Sequence, residues 1–291
     1  MPRMIQVAAI QMGCSDQVDQ NIKKAEEMIR EAASGGAQII LLPELFETLY
    51  FCQEKTKTNF RYASFLEQNK AVSHFQKIAR ELQLVLPISF FEKQDGRYFN
   101  SIAIIDADGQ ILGTYRKTHI PDGPGYEEKF YFDPGDTGFR VWETRYGKVG
   151  VGICWDQWFP EAARCMALQG AELLLYPTAI GSEPGRETID SKDHWQICMQ
   201  GHSAANIIPV ITANRTGNEK ASFSELTFYG SSFITNEKGQ KIAEADRSGE
   251  KIIFASFDLD GIASYRDFWG VFKNRRPEMY GLIIEAAKTQ S

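Results

Sequence analysis

The sequence predicts a layered α/β fold with two sheets face to face and helices outside. Three observations point there. Apolar runs of strand length alternate with amphipathic runs of helical period. The junction "SGGAQIILLPE" is echoed by "LQGAELLLYPT", where a glycine ends a helix, alanine follows and an apolar strand runs into proline. Each echo is preceded by a strand and a helix, so the chain reads as two βαβ-type halves, which pack as layers. No linker or low-complexity stretch interrupts the chain, so residues 1–291 read as one domain.

Residues 4–11 alternate in the period of a half-buried strand. Ser15 or Asp16 is the expected cap of the following helix, whose apolar face is Ile22, Ala25, Met28, Ile29 and Ala32. Gly35 and Gly36 end it, and "AQIILLPE" follows as a strand apolar on both faces. After an irregular aromatic stretch, "KAVSHFQKIARELQL" has the pattern of a second amphipathic helix. Strands are expected at 85–91, 98–105 and 110–116, with hairpin turns at Asp95-Gly96 and Asp108-Gly109. "HIPDGPGYEEKFYFDPGDTG" is a loop long enough to carry function. Strands at 139–143 and 148–154, a helix at 160–169 and a strand at 172–177 come next. A helix at 190–205 precedes strands near 208–214, 230–236 and 252–259. A polar, aromatic tail closes the chain.

Composition excludes several roles. The chain has 291 residues, 43% of them hydrophobic, and a net charge of −6. It has no long basic run, so nucleic acid is not expected as a partner. No apolar run reaches the ~18 residues of a membrane span. The N-terminus reads as a strand rather than a secretory signal. Five cysteines (14, 52, 154, 165 and 198) form no CxxC pair, which predicts reduced thiols and a cytoplasmic location. His194 and His202 are eight apart on a predicted helix, too far for one ion alone, and "PDGPGY" lacks the spacing of a phosphate loop. Neither a metal nor a cofactor is expected.

In open α/β sheets chemistry collects beyond the carboxyl ends of strands. Glu44 follows "IILLP", Lys117 follows "ILGTYR" and Cys154 follows "KVGVGI". Singly, each has a bland reading: a core thiol and two solvated charges. Converging on one rim, they form a nucleophilic set. A cation favours the thiolate, a carboxylate takes its proton, and the lysine and the backbone N–H after the cysteine stabilise an oxyanion.

The blocks "LLPELFETLY", "YRKTHIPDGPGYEEKFYFDPG" and "GVGICWDQWFPEAAR" resemble, in order, the three catalytic blocks of the nitrilase superfamily. The resemblance implies a four-layer α-β-β-α sandwich, usually a homo-oligomer. It also implies metal-free hydrolysis of carbon–nitrogen bonds by a triad: Glu44 as base, Lys117 as oxyanion stabiliser and Cys154 as nucleophile. A second glutamate is implied in the loop after the lysine. Glu128 is the choice, being nearest the aromatic run before "DPG", with Glu127 the alternative. "YPTAIGSEP", "DHWQICMQGH" and "WGVFKNRRPEMY" sharpen the resemblance to the branch that hydrolyses N-carbamoylputrescine. A carbamoyl-β-alanine hydrolase or ω-amidase is the alternative, and a non-catalytic binding protein on the same fold would lack a triad member.

Charge tests the substrate reading. A ureide ending in an ammonium calls for a carboxylate at the far end of an apolar channel, whereas a carboxylate-bearing one calls for an arginine. Asp122, Asp156 and Glu183 lie just past strand ends, with Tyr50, Trp155 and Trp158 as aromatics. Glu183 is the expected partner of the substrate amine, with Asp122 near it, and Tyr50 and Trp155 the expected walls. Arg186 and Arg215 are loop cations that could also face the pocket. The tail from about 262 to 291 has the composition of a subunit interface.

Overall fold

The computed structural model describes residues 2–186 and 188–285. Strand β1 (Met4–Gln11) leads through α1 (Val18–Ser34) to β2 (Ile39–Leu41), and α2 (Lys70–Leu82) leads to β3 (Leu86–Gln94), β4 (Arg97–Ile105) and β5 (Ile111–Arg116). The second half repeats the plan. Strands β6 (Val141–Thr144) and β7 (Gly147–Val151) precede α3 (Pro160–Leu168), β8 (Leu173–Thr178), α4 (Lys192–Asn206) and β9 (Val210–Asn214). A hairpin of β10 (Thr216–Lys220) and β11 (Glu225–Tyr229) follows, then β12 (Phe233–Thr235), β13 (Lys241–Glu244), β14 (Lys251–Asp258) and α5 (Leu259–Trp269).

One sheet has the order β14-β1-β2, extended to β3-β4-β5 by a parallel bridge of Ile39 to Val85. The other has the order β6-β7-β8-β9-β12-β13. Both read alike from one edge: an antiparallel edge strand, three parallel strands, then two antiparallel strands. The echo between the two junction sequences is therefore an echo of topology.

Strand alternation builds the layers. Val7 and Ala9 of β1 point into a core between the sheets, with Val149, Val151, Leu173 and Leu175 of the other sheet. Ala8 and Ile10 point outward onto Ile22, Ala25 and Ile29 of α1 and Phe75 and Ile78 of α2. Leu174 and Tyr176 likewise meet Ala163 and Met166 of α3 and Trp195 and Met199 of α4. The order is α-β-β-α.

Some local expectations shift. Gln17, not Ser15 or Asp16, is the cap of α1, because the Ser15 side chain and backbone are engaged with the buried Asn21 amide. Strand β7 stops at Val151, and Cys154–Trp158 forms a 3₁₀ turn before α3 starts on Pro160, whose fixed φ suits a first helical position. The β10–β11 hairpin, β13 and α5 lie where the sequence offered no clear period. Among the described residues no helix is long and apolar enough to cross a membrane. All five cysteines are free.

Candidate active site

The three strand-end residues do converge. Lys117, one residue past β5, is fully buried, and its Nζ lies 2.8 Å from Glu44 Oε1 and 2.7 Å from Glu128 Oε2. Glu44, three residues past β2, is equally buried and accepts from Asn100 Nδ2 at 2.6 Å. Its Oε2 takes no hydrogen bond from the described residues, which leaves one carboxylate oxygen free to receive a proton. Glu128 sits in a short 3₁₀ turn of the long loop. Its neighbour Glu127 turns outward to Lys55 at 2.9 Å, so Glu128 faces the lysine.

The charges set the resting state. Burial pulls the Lys117 ammonium down, but Glu128 and Glu44 outweigh it and hold its pKa well above the usual lysine value. Burial pushes the Glu128 carboxyl up, and Lys117 opposes this. Burial and the Glu44 charge push the Cys154 thiol well up, against a smaller opposing pull from Lys117. Lys117 favours the thiolate, as expected, but burial and the Glu44 charge outweigh it. The thiol is held neutral, and Glu44 is the charge that acts on it most strongly.

The backbone around the thiol is specialised. Cys154 has φ 41°, a left-handed conformation that a non-glycine residue adopts at a cost. As the first residue of a 3₁₀ turn it leaves early N–H groups without intrahelical partners. At Gly152 a Cβ would come within 2.8 Å of the Tyr176 ring, so only glycine lets the strand pass. Asp156 does not face the substrate side. It is fully buried and accepts from the Ile153 N–H at 2.9 Å, the Tyr115 hydroxyl at 2.7 Å and the His119 N–H at 3.0 Å. It thereby ties the thiol's turn to the segment that carries Lys117. On the other side, Gln157 accepts from Trp195 Nε1 at 2.6 Å and, through its carbonyl, from His202 Nε2 at 2.7 Å, which fastens the turn to α4.

Cys154 and Glu128 open onto a cleft of about 480 Å³. Trp155, Glu183 and Asp122 line it as expected, joined by Trp158, Tyr126 and Arg186. Tyr50 does not. It is buried behind the site, packed on Tyr126 and Phe228, and its hydroxyl donates to Glu128 Oε1 at 2.6 Å. The expected channel wall is thus a support for a carboxylate. Arg215 is also absent from the cleft, being fully buried beneath the segment that carries Glu44. Asn100 went unnoticed in the sequence because an asparagine inside a strand has no distinguishing local pattern.

A family model described as carbon–nitrogen hydrolase matches residues 6–267. The N-carbamoylputrescine amidase of Arabidopsis thaliana is 53% identical over 97% of this chain and 96% of its own. The citrullinase of Francisella tularensis is 54% identical over 96% of this chain and 98% of its own. In structure, the carbon–nitrogen hydrolase of Helicobacter pylori G27 superposes with a TM-score of 0.90 at 37% identity, covering 97% of this chain and 99% of that one. The sandwich and these likenesses agree: the chain belongs to the carbon–nitrogen hydrolases of the nitrilase superfamily.

Proposed function

We propose that the chain hydrolyses N-carbamoylputrescine to putrescine, carbon dioxide and ammonia, in putrescine biosynthesis. One observation carries this reading: a neutral thiol opens onto an aromatic, acidic cleft beside a buried lysine held between two carboxylates. Glu44 takes the thiol proton as Sγ attacks the ureido carbonyl. The oxyanion is met by the Lys117 ammonium and the Trp155 N–H. Glu44 returns the proton to the departing nitrogen, leaving a thiol-linked acyl group. Water, deprotonated by Glu44, then attacks this group, Glu44 returns that proton to the departing sulfur, and the freed carbamic acid breaks its remaining carbon–nitrogen bond to give carbon dioxide and the second nitrogen product. Glu128 keeps Lys117 charged and aimed. Glu183 and Asp122 take the substrate ammonium, and Trp155, Trp158 and Tyr126 wall the carbon chain.

Citrulline hydrolysis is the second reading. Citrulline differs from N-carbamoylputrescine by one carboxylate on the carbon that bears the ammonium. Arg186 lines the same cleft as Glu183 and offers that carboxylate a partner, and one relative of comparable identity is a citrullinase. The deciding experiment compares kcat/KM for ammonia release from N-carbamoylputrescine, citrulline and N-carbamoyl-β-alanine. The first reading expects the amine-only ureide to lead by at least tenfold. A Cys154→Ala protein that still releases ammonia would sink both.

We further infer that residues 1–291 form one catalytic unit acting in the cytoplasm, which five unpaired thiols support, and that copies associate through the tail. Phe268, Trp269, Leu282 and Ile284 expose apolar surface there. Residues 286–291 of that tail lie outside the described residues.

A further inference from the structure

The segment that runs from Glu44 to Tyr50 supplies the proposed base at one end and the support of Glu128 at the other. It has no regular hydrogen-bond ladder of its own, and Leu45 sits at φ 49°, in the left-handed region. Its shape has to be imposed from outside. The buried ion pair of Arg215 and Glu219 is in contact with it at every turn.

Arg215, between β9 and β10, is fully buried, and Glu219 on β10 is 2% exposed. The guanidinium donates to the carbonyls of Glu44 at 3.1 Å and Thr48 at 2.9 Å, to the Leu45 carbonyl, and to Glu219 Oε1 at 2.9 Å. Three carbonyls of one short segment thus converge on one planar fork of donors, an arrangement a lysine cannot copy. The guanidinium carbon lies 5.8 Å from the Tyr50 ring centre and 5.7 Å from that of Phe228. The other oxygen of Glu219 accepts the Tyr50 N–H, and the Tyr50 hydroxyl reaches Glu128. One ion pair therefore touches the backbone of Glu44 directly and Glu128 through a single tyrosine.

We propose that Arg215 and Glu219 are positioning residues for the reaction, fixing Glu44 and Glu128 at the same time. This rests on the assignment of those glutamates above. A buried ion pair is weak evidence of stability, since its desolvation offsets much of its attraction. What this pair does supply is geometry, because both partners spend their hydrogen bonds on the segment bearing the site.

Glu219→Gln tests it. Glutamine keeps the volume but has one acceptor oxygen where the wild type uses two, so either the Arg215 bond or the Tyr50 N–H bond is lost. Ammonia release and the substrate-free rate of Cys154 alkylation by iodoacetamide are both measured against pH, at a temperature where circular dichroism shows the variant folded. The expected result is a kcat lowered roughly ten- to a hundredfold with KM within about threefold, as for the loss of one bond to a charged group. The pH profile of alkylation should also move, because the base beside the thiol has shifted. A folded variant with kcat within threefold of wild type and an unmoved alkylation profile would show a purely structural pair and overturn the proposal. Arg215→Lys, which keeps the charge and loses the fork, is expected to show the same kcat loss, and wild-type turnover there would also overturn it. A Cys154→Ala control separates the two levels: residual turnover in it defeats the catalytic assignment itself, whatever Glu219→Gln does.

Discussion

Tyr50→Phe separates two roles for one side chain. As a channel wall, Tyr50 would act through its ring, and phenylalanine would change KM little and kcat not at all. In the structure the ring is buried between Tyr126 and Phe228, with centroids 5.9 and 5.7 Å away, and phenylalanine preserves both contacts. What disappears is one donor, 2.6 Å from Glu128 Oε1. A hydrogen bond to a charged group contributes about 1.5–3 kcal/mol, and each ~1.4 kcal/mol is a decade in rate. If the whole of it supports the charged carboxylate during turnover, kcat/KM falls roughly ten- to a hundredfold. The pH profile should change in a definite direction. Burial already pushes the Glu128 carboxyl up, Lys117 is the main restraint, and the Tyr50 hydroxyl pulls the same way as Lys117. Without it the carboxyl rises further, so the acid limb of kcat/KM moves to higher pH. The assay is ammonia release from N-carbamoylputrescine across a pH series. A variant within threefold of wild type in kcat and KM with an unmoved acid limb would refute the support role and return the ring to the channel.

Three other outcomes follow from the same geometry. In Gly135→Ala the new Cβ would lie 2.1 Å from the Arg116 carbonyl oxygen and 2.8 Å from that of Lys117, so the backbone carrying the lysine has to move. Tm should fall, with about 1–3 kcal/mol or more lost, and kcat should drop with it; an unchanged Tm and kcat would mean the loop yields instead. Glu183→Gln should raise KM for N-carbamoylputrescine roughly ten- to a hundredfold by removing a charge partner of the ammonium, and an unchanged KM would move that role to Asp122. His202 is a pH-dependent support. Burial holds its pKa below the usual 6.5, so it stays neutral in the fold while the unfolded chain takes up a proton. Its contribution is complete above that value and is lost as the pH falls through it. Wild-type Tm should therefore decline between about pH 7 and 5 more steeply than that of His202→Gln. Parallel curves would remove His202 from the acid response.

The parts of the fold with a strong period are legible in the sequence itself. The strand Met4–Gln11 and the start of α3 at Pro160 stand where the pattern put them, because alternation and a proline at N1 are local signals. The hairpin β10–β11 was not legible, since its strand "TGNEK" is polar and its order comes from pairing with β11 and from the buried Arg215 and Glu219. In the site, three residues at strand ends were enough to predict convergence. Choosing Glu128 over Glu127 from sequence rested on one position of proximity to an aromatic run, and the lysine that decides it is eleven residues away. The roles of Tyr50, Asp156 and Arg215 were out of reach for one reason. Each acts by a hydrogen bond across a large sequence separation, 78 residues for Tyr50 to Glu128 and 171 for Arg215 to Glu44, and no local pattern encodes such a partner.

The repeated topology raises a sharper question, namely why a pseudo-symmetric fold holds one such thiol site. Both halves place a cysteine three residues beyond an equivalent strand: Cys14 after β1 and Cys154 after β7. Both halves also run their second parallel strand into a proline, yet one continues to Glu44 and the other to Thr178. The Glu44 N–H donates to the Thr178 carbonyl at 3.4 Å, so these equivalent positions meet where the two sheets face each other. The halves differ in what surrounds the thiol. Cys154 has the left-handed backbone, a free carboxylate oxygen at Glu44 and an open cleft. Cys14 lacks that backbone, and Glu250, which accepts the neighbouring Gly13 N–H, is paired with Lys24. Burial pushes its thiol up to about 11, and the two charges that act on it most strongly, Arg215 and Glu219, are committed to each other and to the Glu44–Tyr50 segment. The cations divide the same way. Lys117 acts on the thiol of one half and is the proposed oxyanion partner, while Arg215, the charge that acts most strongly on the thiol of the other, is spent on fixing the segment that bears Glu44. The residues proposed for the chemistry thus come from both halves, Glu44 and Lys117 from the first and Cys154 from the second, and loss of Glu219 is expected at Cys154 because it acts through the Glu44–Tyr50 segment rather than through Cys14.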